Sequence, residues 1–219
     1  SDIFIKSFIN TVLLGIVAGI ICTLFAFLFN FLKRFETGNY LKGISFLLSM
    51  GYAIPGLVLA VGIIQFFSFL DNNYLRSYFD LILTGSILGL LMAYIIKSYA
   101  LANNSIESGY ERINRATDDV SMSLKVSKFK IFFQVHMPLL KTSILTSLIL
   151  VISEVIKELP ATLILRPFNF DTLAVTTYIY AAEERMFEAA TPAIMIVLIG
   201  LIPIFFLSKI IRESRPGNT

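Results

Sequence analysis

Long apolar runs alternate with short polar ones along this chain, and the apolar runs are too long for strands. A helix needs about 20 mainly apolar residues to cross ~30 Å of hydrocarbon. Five segments reach that length: about 8–32, a stretch within 44–70, then 79–101, 139–158 and 192–211. The second is too long for one straight span and is interrupted by Pro55-Gly56. Proline removes a helix hydrogen bond, so this stretch reads as an interfacial helix turning into a span over 54–70. The pattern predicts an all-α integral membrane protein, one transmembrane domain over residues 1–219.

Composition agrees with the pattern. The chain is 56% hydrophobic and only 15% charged, with a mean hydropathy of +0.79; a soluble domain of this length needs more polar surface. The single cysteine, Cys22, excludes an intrachain disulfide, and one histidine beside it is too few ligands for a zinc site. The opening residues SDIFIKSF show neither the basic region nor the cleavage site of a secretory signal.

A net charge of +3 is too small to suggest nucleic acid, but its distribution is informative. With the 101–138 loop placed in the cytoplasm, most basic residues fall on that side, among them Lys33, Arg34, Lys42, Lys97 and Lys125. Only Lys6, Arg76, Lys157, Arg166 and Arg185 fall outside. The positive-inside rule then puts the N-terminus outside and the C-terminus in the cytoplasm. An outside N-terminus without a signal implies residues before Ser1, as in one half of a longer chain.

Residues 103–138 form the long polar loop. Ala116, Val120 and Leu124 recur at i, i+4 and i+8, the stripe of a short helix. Thr117 or Ala116 leads into Asp118 and Asp119, acids in the first turn where the helix dipole favours them. A second short helix starts at Ser127 as N-cap and carries Phe129, Phe132 and Phe133. Physics alone leaves two readings, an amphipathic hairpin on the bilayer or a docking element for a cytoplasmic partner.

The fourth run ends in Glu154, Lys157 and Glu158. Counted from Pro138 as the cytoplasmic edge, Glu154 lies ~24 Å up and the other two ~28 and ~30 Å. That depth makes Lys157 and Glu158 interfacial and leaves Glu154 facing the bundle interior. Glu154 then either pairs with Lys157 at i, i+3, or joins Glu158 at i, i+4 to line the mouth of a path with oxygen ligands for a hard cation. Beyond Pro160, LRPFNFDTLAV reads as a re-entrant turn and 171–187 as a short helix beginning near Asp171 or Thr172. Residues 160–190 are therefore a candidate external gate. Glu183, Glu184, Arg185 and Glu188 face outside there or form a solvated loop, while Tyr178 and Tyr180 read as interface anchors before metal ligands.

Two groups of motifs carry a family resemblance. Asp119-Val120-Ser121, Lys125 and Val135-His136-Met137-Pro138 stand in the register of the "EAA" loop of permease subunits from binding-protein-dependent ABC importers. Lys125 occupies the glycine position, where a side chain is costly at positive φ, so either the turn has another geometry or coupling is weaker. KELPATLILRPFNFDTLAV, GYAIPGLVLAVGI and SGYERI resemble the ferric iron permeases of that class, and the likeness covers nearly the whole chain as the C-terminal half of a fused permease.

The resemblance implies a five-span type I ABC importer permease core in a bacterial inner membrane, without a catalytic site, cofactor or assigned metal ligands of its own. ATP and magnesium would be used by a cytoplasmic ATPase dimer, and a second permease half and a periplasmic iron-binding protein would complete the transporter. It also implies that 117–127 meets the ATPase. Val120 and Leu124 would be its anchors, with Thr117, Asp118, Asp119, Lys125 and Pro138 at the joint. Glu154, Lys157, Glu158 and Pro160 would border the translocation path. Other readings are a permease for a phosphonate or thiamine, an ATP-independent carrier, and a membrane enzyme. A carrier would show paired repeats, yet the 160–175 pattern has no second copy; an enzyme would need partners for His136, the sole histidine.

Overall fold

The computed structural model describes residues 2–35, 40–75 and 82–213, which are helical with short connections and contain no strand. The helices are α1 (Asp2–Phe35), α2 (Tyr40–Ser49), α3 (Gly56–Leu70), α4 (Ile87–Glu111) and α5 (Ala116–Ser123), followed by α6 (Lys128–Leu139), α7 (Lys141–Ile156), α8 (Pro160–Leu165), α9 (Leu173–Ala182) and α10 (Met186–Glu213). Among the described residues α1 and the run from Gly56 to Tyr74 are each long and apolar enough to cross a membrane alone, and α6 with α7 qualifies as one bent span.

Helix α1 is the axis of the bundle, ~51 Å long at 1.5 Å per residue. It packs on α4 and α7, which also pack on each other. Small residues permit the close approach: Cβ atoms built at Gly15 and Gly19 would lie 3.4 and 3.1 Å from the Ile152 side chain of α7. Ala18, Cys22 and Ala26 continue that buried stripe, and Thr23 shares a 2.9 Å hydrogen bond with Ser147 across it. Lower down, the Asn30 side chain donates to Asn103 Oδ1 at 2.9 Å, tying α1 to α4.

The break at Pro55 is present. A 3-10 turn over Met50–Ala53 follows α2, and Pro55 adopts extended backbone before α3 begins at Gly56. The third run differs from its expected span. Its helix is α4, starting at Ile87 and continuing to Glu111, so the first nine residues of the expected 103–138 loop are helix. Residues 79–81 of that span lie outside the described residues. Apolar length alone misplaced it, because Asn103, Asn104 and Ser108 look like loop residues but bond within the bundle or to their own helix.

The fourth run, expected to be straight from 139 to 158, is broken at both ends. α6 contains a wider turn over Ile131–His136, and its axis meets that of α7 at 75°. Pro138 lies inside this bent region rather than at the foot of a span; its missing amide hydrogen favours such an irregular turn. At the other end α7 stops at Ile156, and Pro160, without an amide hydrogen to continue the ladder, opens α8 instead. Depth counted from Pro138 along one axis therefore fails.

Candidate functional site

Polar side chains gather at three levels along α1. At its Asp2 end they stitch the helix to α9 and to the turn before it. Ser7 bonds Thr176 at 2.7 Å, Thr11 accepts from the Leu173 amide at 2.8 Å, and Asn10 donates to the Asp171 carbonyl at 2.9 Å. The Arg166–Asp171 ion pair closes the turn, with Asn169 at φ 57°. Helix α9 runs from Leu173 to Ala182 with Thr172 as N-cap, shorter than the expected 171–187. Beyond it Arg185 is exposed between Glu183 and Glu188, as in a solvated loop.

The second level is midway along the molecule, where Lys97 of α4 forms an ion pair with Glu158. Cys22 donates to the Ile95 carbonyl oxygen, so Lys97 lies near the level of Cys22, ~20 Å from the Phe35 end of α1. Neither charge is where the sequence reading put it. Lys97 is mid-helix rather than at a helix end, and Glu158 is buried by the protein, at 6% exposed. Glu158 Oε1 also accepts from the Ala161 amide at 3.3 Å, capping the start of α8. Thr162 donates to the Glu158 carbonyl at 2.7 Å and its hydroxyl meets that of Tyr94, also at 2.7 Å. Gly56 completes the cluster, since a Cβ there would lie 2.7 Å from Glu158 Oε1. The two helix breaks, at Pro55 and Pro160, thus meet over one buried carboxylate.

Glu154 and Glu158 do not share a helical face, because α7 ends between them. Glu154 pairs with Lys157 at 2.9 Å, the ion-pair alternative; Lys157 is exposed and Glu154 is largely covered. Lys97 and Tyr94 were missed as site residues. A lysine ten residues into an apolar helix was the available signal, and counting it with the cytoplasmic-side basic residues concealed it.

The third level joins α5 to the bundle. Asp118 and Asp119, both expected at the joint, differ in their surroundings. Asp118 is 4% exposed, while Asp119 is exposed. Asp118 forms an ion pair with Arg34 and a 2.7 Å hydrogen bond with His136 Nε2. Arg34 also donates to the carbonyls of Tyr110 and Ile113, at 3.0 and 2.8 Å. Thr117 is half-buried and accepts at its carbonyl from Ser121; Val120 and Leu124 are 59% and 73% exposed. Asn114 caps α5 by accepting from the Ala116 amide at 3.0 Å.

Lys125 answers the question posed by the glycine position. Its φ is 56°; its amide donates to Met122 at 2.9 Å and that of Val126 to Ser121 at 3.1 Å. This pair of bonds is a Schellman ending, so the left-handed turn is kept and the lysine bears its cost. Lys125→Gly is expected to raise the unfolding free energy by about 1 kcal/mol. Thermal unfolding of the purified protein measures it, and a lower melting temperature would count against strain at this residue.

Among solved structures, the fold is similar to a bacterial alginate ABC transporter in complex with alginate pentasaccharide-bound periplasmic protein. That match has a TM-score of 0.77 at 14% identity and covers 100% of this chain and 82% of the other. It is also similar to the inward-facing MetNI methionine ABC transporter, with a TM-score of 0.67 at 13% identity over 97% and 96% of the two chains. Among curated relatives, the Fe(3+)-transport system permease protein FbpB 2 of Haemophilus influenzae is 28% identical over 72% of this chain and 29% of its own length. The putative 2-aminoethylphosphonate transport system permease protein PhnV of Salmonella typhimurium is 25% identical over 78% and 62%. The molybdate/tungstate transport system permease protein WtpB of Methanocaldococcus jannaschii is 27% identical over 52% and 43%. The chain thus matches under a third of the first of these proteins and less than two thirds of the others. Residues 12–214 match the model of one family, so this multi-pass membrane chain belongs to the binding-protein-dependent transport system inner membrane components.

Proposed function

We propose that the chain is the permease subunit of an ATP-driven importer that carries ferric iron, received from a periplasmic binding protein, through a path shared with a second permease half. The observation that carries the reading is α5. Val120 and Leu124 are presented to the outside of the molecule, while Asp118 on the same helix is anchored in the bundle through Arg34 and His136. An exposed apolar pair on a rigidly held helix suits the groove of a partner, here an ATPase dimer that uses ATP and magnesium. The permease itself supplies no catalytic group.

In this reading the Phe35 end of α1 faces the cytoplasm and the Asp2 end faces outside, with five crossings built from α1, α3, α4, the α6–α7 pair and α10. The gate is then the 160–190 segment, stitched to α1 by Ser7, Asn10 and Thr11. Iron as cargo rests on the ferric permeases among the relatives. The phosphonate and molybdate permeases beside them define the competing cargoes.

Reconstitution of the whole transporter in proteoliposomes tests the proposal, with labelled ferric iron on its binding protein. Iron should accumulate only when the ATPase and magnesium-ATP are present, and excess aminoethylphosphonate or molybdate should not compete. Uptake without the ATPase would overturn the importer reading. Accumulation of either anion instead of iron would overturn the cargo alone.

A further inference from the structure

The cluster of Arg34, Asp118 and His136 contains three ionisable side chains from three separate elements: the end of α1, the first turn of α5 and the wide turn in α6. Asp118 and His136 are buried, at 4% and 0% exposed, and Arg34 is largely covered. Each nitrogen of Arg34 donates one hydrogen bond, to Asp118 and to the carbonyls of Tyr110 and Ile113, where α4 ends. Rings enclose the imidazole, with Phe31 and Tyr110 edge-on at 5.3 Å and Phe35 stacked at 6.2 Å. Phe132 packs edge-on against Phe31 at 5.0 Å.

Elsewhere α5 is attached weakly. It has two turns, an Asn114 cap and a strained C-terminal turn, and much of its remaining surface is exposed. A force applied at Val120 or Leu124 therefore has one stiff route inward, from Asp118 to Arg34 on α1 and to His136 on α6. A largely buried ion pair resists displacement because separating it leaves a charge without a partner.

We infer that Asp118 is a positioning residue that ties the partner-facing helix α5 to α1 and α6 through Arg34 and His136, so that movement of α5 becomes movement of the bundle. This assignment rests on the ATP-driven reading. It separates two roles within one turn: Asp119 and Val120 face the partner, and Asp118 holds the bundle. Helix α1 runs on to the Ser7 and Thr11 contacts with the gate segment, so one rigid element connects both ends.

The test uses the reconstituted transporter with its ATPase and ferric binding protein, reading iron transported per ATP hydrolysed. The variants are Asp118→Asn, Arg34→Gln and the exchanged pair Arg34→Asp with Asp118→Arg. Each single variant should co-purify with the ATPase at the wild-type ratio and hydrolyse ATP, while iron per ATP falls at least tenfold. The exchanged pair should recover a substantial part of that ratio. An unchanged ratio in both single variants would overturn the proposal. Loss of ATPase co-purification in step with transport would also overturn it, by making Asp118 a docking residue. Failure of both single variants and the exchanged pair to assemble would do the same, by making the cluster a folding requirement. Lack of ATP-driven uptake by the wild type would instead refute the importer reading on which the assignment rests.

Discussion

Lys97→Met is expected to destabilise the protein by about 3–5 kcal/mol, the usual cost of removing one partner from a buried ion pair. Glu158 would be left as a carboxylate at mid-depth, 6% exposed, with only the Ala161 amide to compensate it. The damage should spread, because three segments meet there: α4 through Lys97 and Tyr94, α3 through Gly56, and α8 through Ala161 and Thr162. Glu158→Gln should also destabilise, since it leaves the Lys97 ammonium buried without a counter-charge while keeping an oxygen for the cap. The pair Lys97→Met with Glu158→Gln removes both charges and should regain most of the lost stability. Thermal unfolding of the four proteins in detergent gives the comparison. Near-equal melting temperatures for wild type and Lys97→Met would show that the pair contributes nothing, and a double variant no better than the worse single would show that the charges are not coupled.

That cluster also marks where sequence reasoning stopped. Apolar run lengths located most of the helices, and Pro55 and Pro160 located the two breaks, because a missing amide hydrogen is a local property. The N-cap at Ser127 was legible for the same reason, and Thr172 was one of the two candidates at the start of α9. The partnerships of charged residues were not. Lys97 and Glu158 are 61 positions apart, and nothing along the chain says that the break after α7 returns to the middle of α4. Distance counted along an assumed straight helix then put Glu158 at the membrane edge, while the 75° bend after Pro138 had already invalidated the origin of the count. Arg34 and Asp118 show the same limit. Each has an ordinary surface explanation, a basic residue after a span and an acid in a first turn. Only the approach of the end of α1 to the first turn of α5 makes them partners. Lys125 shows the converse: the backbone takes a left-handed turn there although the residue disfavours it.

Replacing Val120 and Leu124 together by glutamate should abolish ATP-driven transport, by a factor of a hundred or more, without destabilising the permease. Both side chains are exposed, at 59% and 73%, so neither substitution removes a packed core group. Leu124 sits at the end of α5, where its amide bonds to the Val120 carbonyl, and a glutamate keeps that backbone bond. The loss belongs to the partner's side. Two apolar anchors that fill a groove become two carboxylates that must be stripped of water there, and an unpaired charge is costly to desolvate. The measurement pairs an unfolding curve for the isolated permease with co-purification of the ATPase and uptake in proteoliposomes. Melting should shift little, while retained ATPase and uptake fall together. Transport that survives with normal ATPase retention would rule out this face as the docking surface. A large fall in the melting temperature would instead show that Val120 and Leu124 stabilise the permease itself, and that the exposed stripe on α5 is part of its fold.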